Sequence, residues 1–169
     1  MPMTGLEQWC LERGLTAPWV VTIVAALPVL ELRGAIPLGI FGFRLQPWFV
    51  FGLSLLGNLA VIPVLVWLVE PVYRWLRRFR WLHRTLDRCE QHARKRAGLV
   101  ERFELLGLML FVSVPLPGTG AWTGAFVASL FRFKRLHACL AIGAGVMIAG
   151  VAILIGAVGL DQLLHGQTP

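Results

Sequence analysis

Two uncharged apolar runs limit what this chain can fold into more than any other feature. They cover residues 48–69 and 136–160, and neither contains Asp, Glu, Lys or Arg. Each run is longer than the roughly 20 residues that an α-helix needs to cross a bilayer. Hydrophobic residues make up 57% of the sequence, whereas soluble domains contain about 45–50%. We therefore predict an all-α integral membrane protein.

The net charge of +7 is concentrated in one segment. Residues 71–102 contain ten of the sixteen Lys and Arg residues, and apolar residues recur among them at helical spacing. Pro71 is expected to end the first span. Because a basic segment between apolar spans marks the cytoplasmic side of a membrane, we interpret residues 71–102 as a cytoplasmic amphipathic linker that lies on membrane lipid. Nucleic acid is not expected as a partner.

Two shorter apolar segments are interrupted by residues that break helices. The first holds Glu-Leu-Arg-Gly-Ala-Ile-Pro at residues 31–37, and the second holds Pro-Leu-Pro-Gly-Thr-Gly at residues 115–120. Gly has no side chain and Pro has no N–H, so both weaken a helix. Charged groups and irregular backbone persist at membrane depth where they pair, line a cavity or are buried in protein. Both stretches are therefore predicted to contribute to a binding site.

Each interrupted segment fits either one kinked span or a re-entrant hairpin, which returns to the side from which it entered. Two full spans would place Arg132, Lys134 and Arg135 outside, opposite the basic linker, and this conflicts with the positive-inside tendency. Two hairpins place these three residues in the cytoplasm, and they place Arg44 and the C-terminus outside. The charge distribution therefore favours hairpins.

The two halves of the chain repeat at an offset of 86 to 88 residues, because Gly34-Ala35 corresponds to Gly120-Ala121 and Gly57 corresponds to Gly145. With hairpins, the two halves have inverted topology, and binding sites in such proteins lie near the midplane where the repeats meet. We predict a single membrane domain over residues 1–169. It comprises an interfacial helix at 4–13, repeat 1 at 18–70, the basic linker at 71–102 and repeat 2 at 103–160, and each repeat is a re-entrant helical hairpin followed by a transmembrane helix.

The predicted substrate or ion site lies between the two hairpins. Glu31 is the candidate coupling carboxylate and Arg33 its counter-ion or a substrate partner; the alternative is a structural Glu-Arg pair that locks a kink. Ser54 and Asn58 share one face of the first span, where they either line the site or form the commoner hydrogen bond to a neighbouring helix. The candidate site residues are Glu31, Arg33, Gly34, Pro37, Asn58, Pro115, Pro117, Gly118, Thr119, Gly120 and Trp122.

No cofactor or metal site is predicted. Cys10, Cys89 and Cys139 are scattered, as are the four histidines, and neither set has the spacing of a metal site. The sequence also lacks the Gly-x-Ser-x-Gly and His-Glu-x-x-His motifs of hydrolases, so an enzyme is not expected. The two candidate functions are a small transporter or flippase and a non-transporting membrane scaffold or biogenesis factor.

The motifs at residues 31–37 and 115–124 resemble the bacterial small multidrug export protein family, which is distantly similar to the DedA-like membrane proteins. The resemblance extends from about residue 18 to about residue 160. It implies transport of a small molecule or lipid across the bacterial cytoplasmic (inner) membrane, coupled to a cation that we expect to be a proton. A homodimer is expected for so small a hairpin protein. The DedA-like group has a motif resembling Arg-Phe-x-Pro-Gly-x-Arg; Val114 and Gly120 stand at its arginine positions here, so its clamp for phosphate is missing.

Overall fold

The computed structural model describes residues 14–76, 101–116, 118–131 and 133–165, and all regular secondary structure in these ranges is helical. The prediction of an all-α chain is confirmed. The predicted helix at 4–13, residues 77–100 of the basic linker, Pro117 and Arg132 lie outside the described residues. A π-helical turn at Leu38–Gly42 continues the second of the α-helices, which are α1 Ala17–Ala26, α2 Glu31–Pro37, α3 Pro47–Leu76, α4 Glu101–Ser113, α5 Ala121–Leu130 and α6 Arg135–His165.

Helices α3 and α6 contain the two long apolar segments. Candidate membrane spans cover Pro47–Val69 in α3 and Arg135–Leu163 in α6, in agreement with the runs predicted at 48–69 and 136–160. The candidate span ends at Val69, two residues before Pro71, whereas helix α3 itself continues through Pro71 to Leu76. A proline removes only its own N–H donor and kinks the helix, and the residues after it can still form helical hydrogen bonds.

The first interrupted segment turns earlier than the sequence suggested. Helix α1 ends before Leu27, which is extended, with φ −73° and ψ 144°, as expected for a residue that precedes proline. Residues 31–37, where the break was expected, form helix α2 instead. Pro37 is the last residue of α2, and the π-helical turn that follows has wider hydrogen bonds such as Phe43 N–H to Leu38 C=O. The proline therefore widens the helix here and does not end it.

The short helices pack in sequential pairs. Helix α1 contacts α2 and also the π-helical turn beyond it, and α4 contacts α5. Helices α1 and α5 have 10 residues each, which corresponds to about 15 Å, against roughly 30 Å of hydrocarbon in a bilayer. Neither helix can cross a membrane by itself. We call α1 with α2 the first helix pair and α4 with α5 the second helix pair.

The chain divides into two compact units, and each unit contains one helix pair with parts of α3 and α6. Unit 1 comprises Met1–Ala60 and Met147–Pro169, and unit 2 comprises Val61–Val146. Buried hydrophobic side chains form the interior of each unit. Those of unit 1 include Val21, Ala25, Leu32, Ala35, Ile36 and Val50, and those of unit 2 include Leu108, Val112, Ala121, Ala125, Ile142 and Val146.

Two glycines make matching close contacts in the two units. In unit 1, Gly57 lies against the carbonyl oxygen of Thr22 and the side chain of Ala25, and a β-carbon on Gly57 would overlap that oxygen. In unit 2, Gly145 lies in the same way against the carbonyl oxygen of Met109, 2.6 Å from where its β-carbon would be, and against Val112. The residues in the second contact follow those in the first by 87 or 88 positions. Glycine is required at both places because the neighbouring helix approaches so closely.

Candidate functional site

Helix α3 carries two polar side chains in the interior of unit 1. Ser54 and Asn58 both have an exposed fraction of 0%. Within the described part of the chain, Ser54 Oγ and the Oδ1 and Nδ2 atoms of Asn58 have no hydrogen-bond partner. Each buried polar group without a hydrogen bond destabilises the folded protein by about 1–3 kcal/mol. The hydrogen bond to a neighbouring helix, the commoner of the two predicted uses, is therefore not formed among the described residues.

Ser54 lies on the face of α3 that packs against the first helix pair. Val50 on this face contacts the backbone at Gly39, and Gly57 contacts Thr22 in α1. Ser54 is four residues after Val50 and three before Gly57, and residues at these spacings share one face of a helix. Asn58 follows four residues later on the same side. We call the surface formed by Ser54 and Asn58 the polar face of α3.

Glu31, the first residue of α2, is only 5% exposed. Gly39 is eight positions after Glu31 in the sequence, and Asn58 is eight positions after Val50. From the contact of Gly39 with Val50 and a rise of about 1.5 Å per helical residue, we infer that Glu31 and Asn58 lie at a similar height in unit 1. The contact of Gly57 with Ala25, near the end of α1, is consistent with this register.

The backbone of Glu31 adopts an uncommon conformation. Its φ is +49°, in the left-handed region, where a residue with a β-carbon is strained by roughly 1–2 kcal/mol. Its N–H nevertheless donates a hydrogen bond to the carbonyl oxygen of Leu27 at 3.1 Å. In unit 2, Gly118 in the turn of the second helix pair also has a positive φ, +85°. Glycine adopts this conformation without strain, whereas Glu31 does not.

The other predicted residues of the first motif surround Glu31 in sequence and lie in unit 1. Arg33 is half-buried, and the Glu31 carboxylate acts on its guanidinium electrostatically. The Gly34 N–H donates to the carbonyl oxygen of Leu30 at 2.8 Å. Pro37 is half-buried at the end of α2. Unit 1 therefore contains Glu31, Arg33, Gly34 and Pro37 together with Asn58.

The residues of the second motif that the structure describes lie in unit 2, in the turn of the second helix pair or at the start of α5. The Thr119 hydroxyl donates to the carbonyl oxygens of Val114 and Leu116, at 2.7 and 2.9 Å, and holds the turn closed. Gly120 precedes the first residue of α5 and is buried, Pro115 is exposed and Trp122 is half-buried. A joint site formed by the two motifs stays a prediction.

The polar face of α3 has no polar equivalent in unit 2. With Gly57 matched to Gly145, Ser54 corresponds to Ile142 and Asn58 corresponds to Val146, and both of these are buried. Unit 2 thus fills the same two positions with apolar side chains. Helix packing alone does not require polarity at Ser54 and Asn58. The sequence prediction offered Ser54 as a residue that could line the site but did not include it among the candidate site residues; comparing the halves at an offset of 88 would have revealed the difference.

Among the described residues of unit 1, the buried polar side chains are those of Glu31, Ser54 and Asn58, which are a carboxylate, a hydroxyl and an amide. A hydroxyl donates one hydrogen bond and accepts others, and an amide provides both donors and acceptors. Among the described residues, no three of His, Cys, Asp and Glu lie together as potential metal ligands.

A comparison with known protein families matches the part of the chain that contains these residues. A scan against protein-family models matches residues 31–152 to the family described as "Putative small multi-drug export protein". The matched region begins at Glu31 and includes the polar face of α3, the second helix pair and most of α6. Neither a search of curated proteins nor a search of solved structures found a match.

Proposed function

The chain belongs to the small multi-drug export protein family, and from this we propose that it is a proton-coupled membrane transporter or flippase whose site includes Glu31 and the polar face of α3. The observation that carries the proposal is the complete burial of Ser54 and Asn58, whose polar side-chain atoms have no hydrogen-bond partner among the described residues. A substrate or water molecule that enters the site would form the missing hydrogen bonds. Binding would then recover part of the cost of about 1–3 kcal/mol for each group.

We propose that each helix pair is a re-entrant hairpin and that the two units are inverted repeats. The short lengths of α1 and α5 and the packing of each pair on itself support this arrangement. In unit 1, Arg44 after the first pair lies 3.9 Å from Asp161 near the end of α6, as expected if both are on the outer side. The matching contacts of Gly57 and Gly145 support a common origin of the two units.

In the proposed mechanism, Glu31 accepts a proton from one side of the membrane and releases it to the other. A carboxylate at membrane depth is costly, and its neighbour Arg33 stabilises the charged form. Substrate binding at Ser54 and Asn58 changes the surroundings of the carboxylate and so links its proton to the substrate. The substrate class is a small molecule or lipid with hydrogen-bonding groups, and the location is the bacterial cytoplasmic membrane, with the basic linker in the cytoplasm.

The alternative is a non-transporting scaffold or biogenesis factor in which Glu31 only neutralises Arg33. The electrostatic interaction of the two side chains favours this alternative. On that view, Glu31→Gln leaves the half-buried Arg33 without its counter-charge, which should cost less than the roughly 3–5 kcal/mol typical of a fully buried pair. The additional change Arg33→Gln should then restore stability.

The experiment compares Glu31→Gln with the Glu31→Gln and Arg33→Gln double variant in proteoliposomes. Thermal stability is measured on the purified proteins, and proton flux dependent on added hydrophobic drugs is followed with a pH-sensitive dye inside the vesicles. A stable Glu31→Gln protein without flux supports the transporter. An unstable single variant that the double variant rescues would support the scaffold. Asp161→Asn removes a carboxylate that is partly exposed, and as the matched control it should retain wild-type flux.

A further inference from the structure

Unit 2 has a groove that the proposed transport site does not use. It runs along one side of α3 and has a volume of about 480 Å³. Apolar side chains and two prolines one above the other line it, namely Pro63, Val64, Trp67, Leu68 and Pro71. Three of these side chains, Val64, Trp67 and Leu68, are more than half exposed. Within a bilayer, a surface of this kind contacts hydrocarbon chains.

A cation lies against one of the residues that line the groove. The guanidinium carbon of Arg135 is 4.6 Å from the centre of the Trp67 ring, within the distance at which a cation is attracted to an aromatic face. Trp67 is close to the end of the span Pro47–Val69, and Arg135 is the first residue of the span Arg135–Leu163. Tryptophan and arginine both favour the membrane–water interface. The groove therefore extends from the interface toward the hydrocarbon.

We propose that this groove and Arg135 form a binding site for an anionic phospholipid. An acyl chain would lie along Pro63, Val64 and Leu68, and the phosphate would accept hydrogen bonds from the Arg135 guanidinium. A guanidinium stacked on a ring directs its N–H groups within its own plane, which suits a phosphate. Lys134, which is exposed beside Arg135, adds positive charge. The site needs neither Glu31 nor the polar face of α3, so it is independent of the proposed transport mechanism.

The charge complementarity selects the headgroup. Any phospholipid chain can occupy an apolar groove, but only a lipid with net negative charge gains from Arg135 and Lys134. Each basic residue near a membrane surface attracts anionic lipid by about 1 kcal/mol, which is roughly a fivefold preference. We expect phosphatidylglycerol to bind in preference to phosphatidylcholine of the same chain length.

The test measures lipid retention by native mass spectrometry. Purified protein is incubated with equal amounts of phosphatidylglycerol and phosphatidylcholine, and the ratio of the two bound lipids is recorded. Arg135→Gln should lower this ratio about fivefold, and Trp67→Leu should lower it less because the charge remains. Arg44→Gln is the matched control, since Arg44 is an exposed arginine of unit 1 outside the groove, and it should leave the ratio unchanged.

Two results would overturn the proposal. One is an unchanged ratio in Arg135→Gln. The other is an equal decrease in Arg44→Gln, which would show that anionic lipid responds only to total charge. If Arg135→Gln does not fold, Arg135→Lys retains the charge without the planar guanidinium, and it should lower the ratio less than fivefold. An unchanged ratio in that variant would also contradict the proposed phosphate contact.

Discussion

Replacing Asn58 by valine should make the protein more stable and inactive. Asn58 is completely buried, and neither of its amide atoms has a partner among the described residues. Valine is the residue at the equivalent position of unit 2, Val146, where a glycine contact of the same kind precedes it. The side chain should therefore fit. Removing one buried group without partners is expected to raise the free energy of unfolding by about 1–3 kcal/mol.

For a chain of this length, about 1 kcal/mol corresponds to a shift of roughly 2–4 °C in Tm. Asn58→Val should therefore unfold a few degrees above the wild type in detergent. Drug-dependent proton flux should be lost because the substrate can no longer form a hydrogen bond with the Asn58 amide. The reciprocal variant Val146→Asn serves as the control, and it should lower stability by about 1–3 kcal/mol because it buries a polar group in unit 2.

A clear loss of stability in Asn58→Val would refute the reasoning. It would show that the amide makes structural hydrogen bonds and that the polar face of α3 holds the fold together. Normal flux in a stable Asn58→Val protein would separate the amide from substrate binding. Stability and flux must therefore be measured on the same preparation, and Asn58→Val and Val146→Asn must be compared with the wild type under identical detergent conditions.

Three further predictions address packing, backbone strain and topology. Gly57→Ala should destabilise unit 1 strongly, because the new β-carbon would overlap a carbonyl oxygen of α1. The control Gly52→Ala on the same helix meets open space, and its higher helix propensity should stabilise the protein by up to about 1 kcal/mol. Thermal unfolding of both variants checks this prediction. Glu31→Gly should relieve the left-handed strain and raise the unfolding free energy by about 1 kcal/mol while abolishing flux, and a loss of stability would show that the carboxylate is structural. In a background without native cysteines, a cysteine at Arg44 should react with an impermeant reagent added to intact cells and one at Lys134 should not, and labelling at Lys134 would exclude the inverted hairpins.

The class of the protein and the number of its long helices follow from the sequence alone. Uncharged runs of sufficient length indicate membrane spans wherever they occur, because the cost of burying charge in hydrocarbon is local to each segment. Helices α3 and α6 accordingly begin within a residue or so of their predicted spans. The short helices on either side of residues 115–120 were also predictable, since consecutive prolines and glycines interrupt a helix in any context.

The tertiary structure decided the details that matter for function. It places the first turn at residues 27–30 and makes residues 31–37 helical, because Pro28 acts on the residue before it and Pro37 widens the helix without ending it. It also shows that Ser54 and Asn58 are buried and that their polar side-chain atoms have no partner in the part of the chain that the structure describes. The sequence placed these residues on one face of a helix but could not indicate what that face meets. Burial depends on the close approach of α1 at Gly57, and that contact joins residues more than thirty positions apart in the chain.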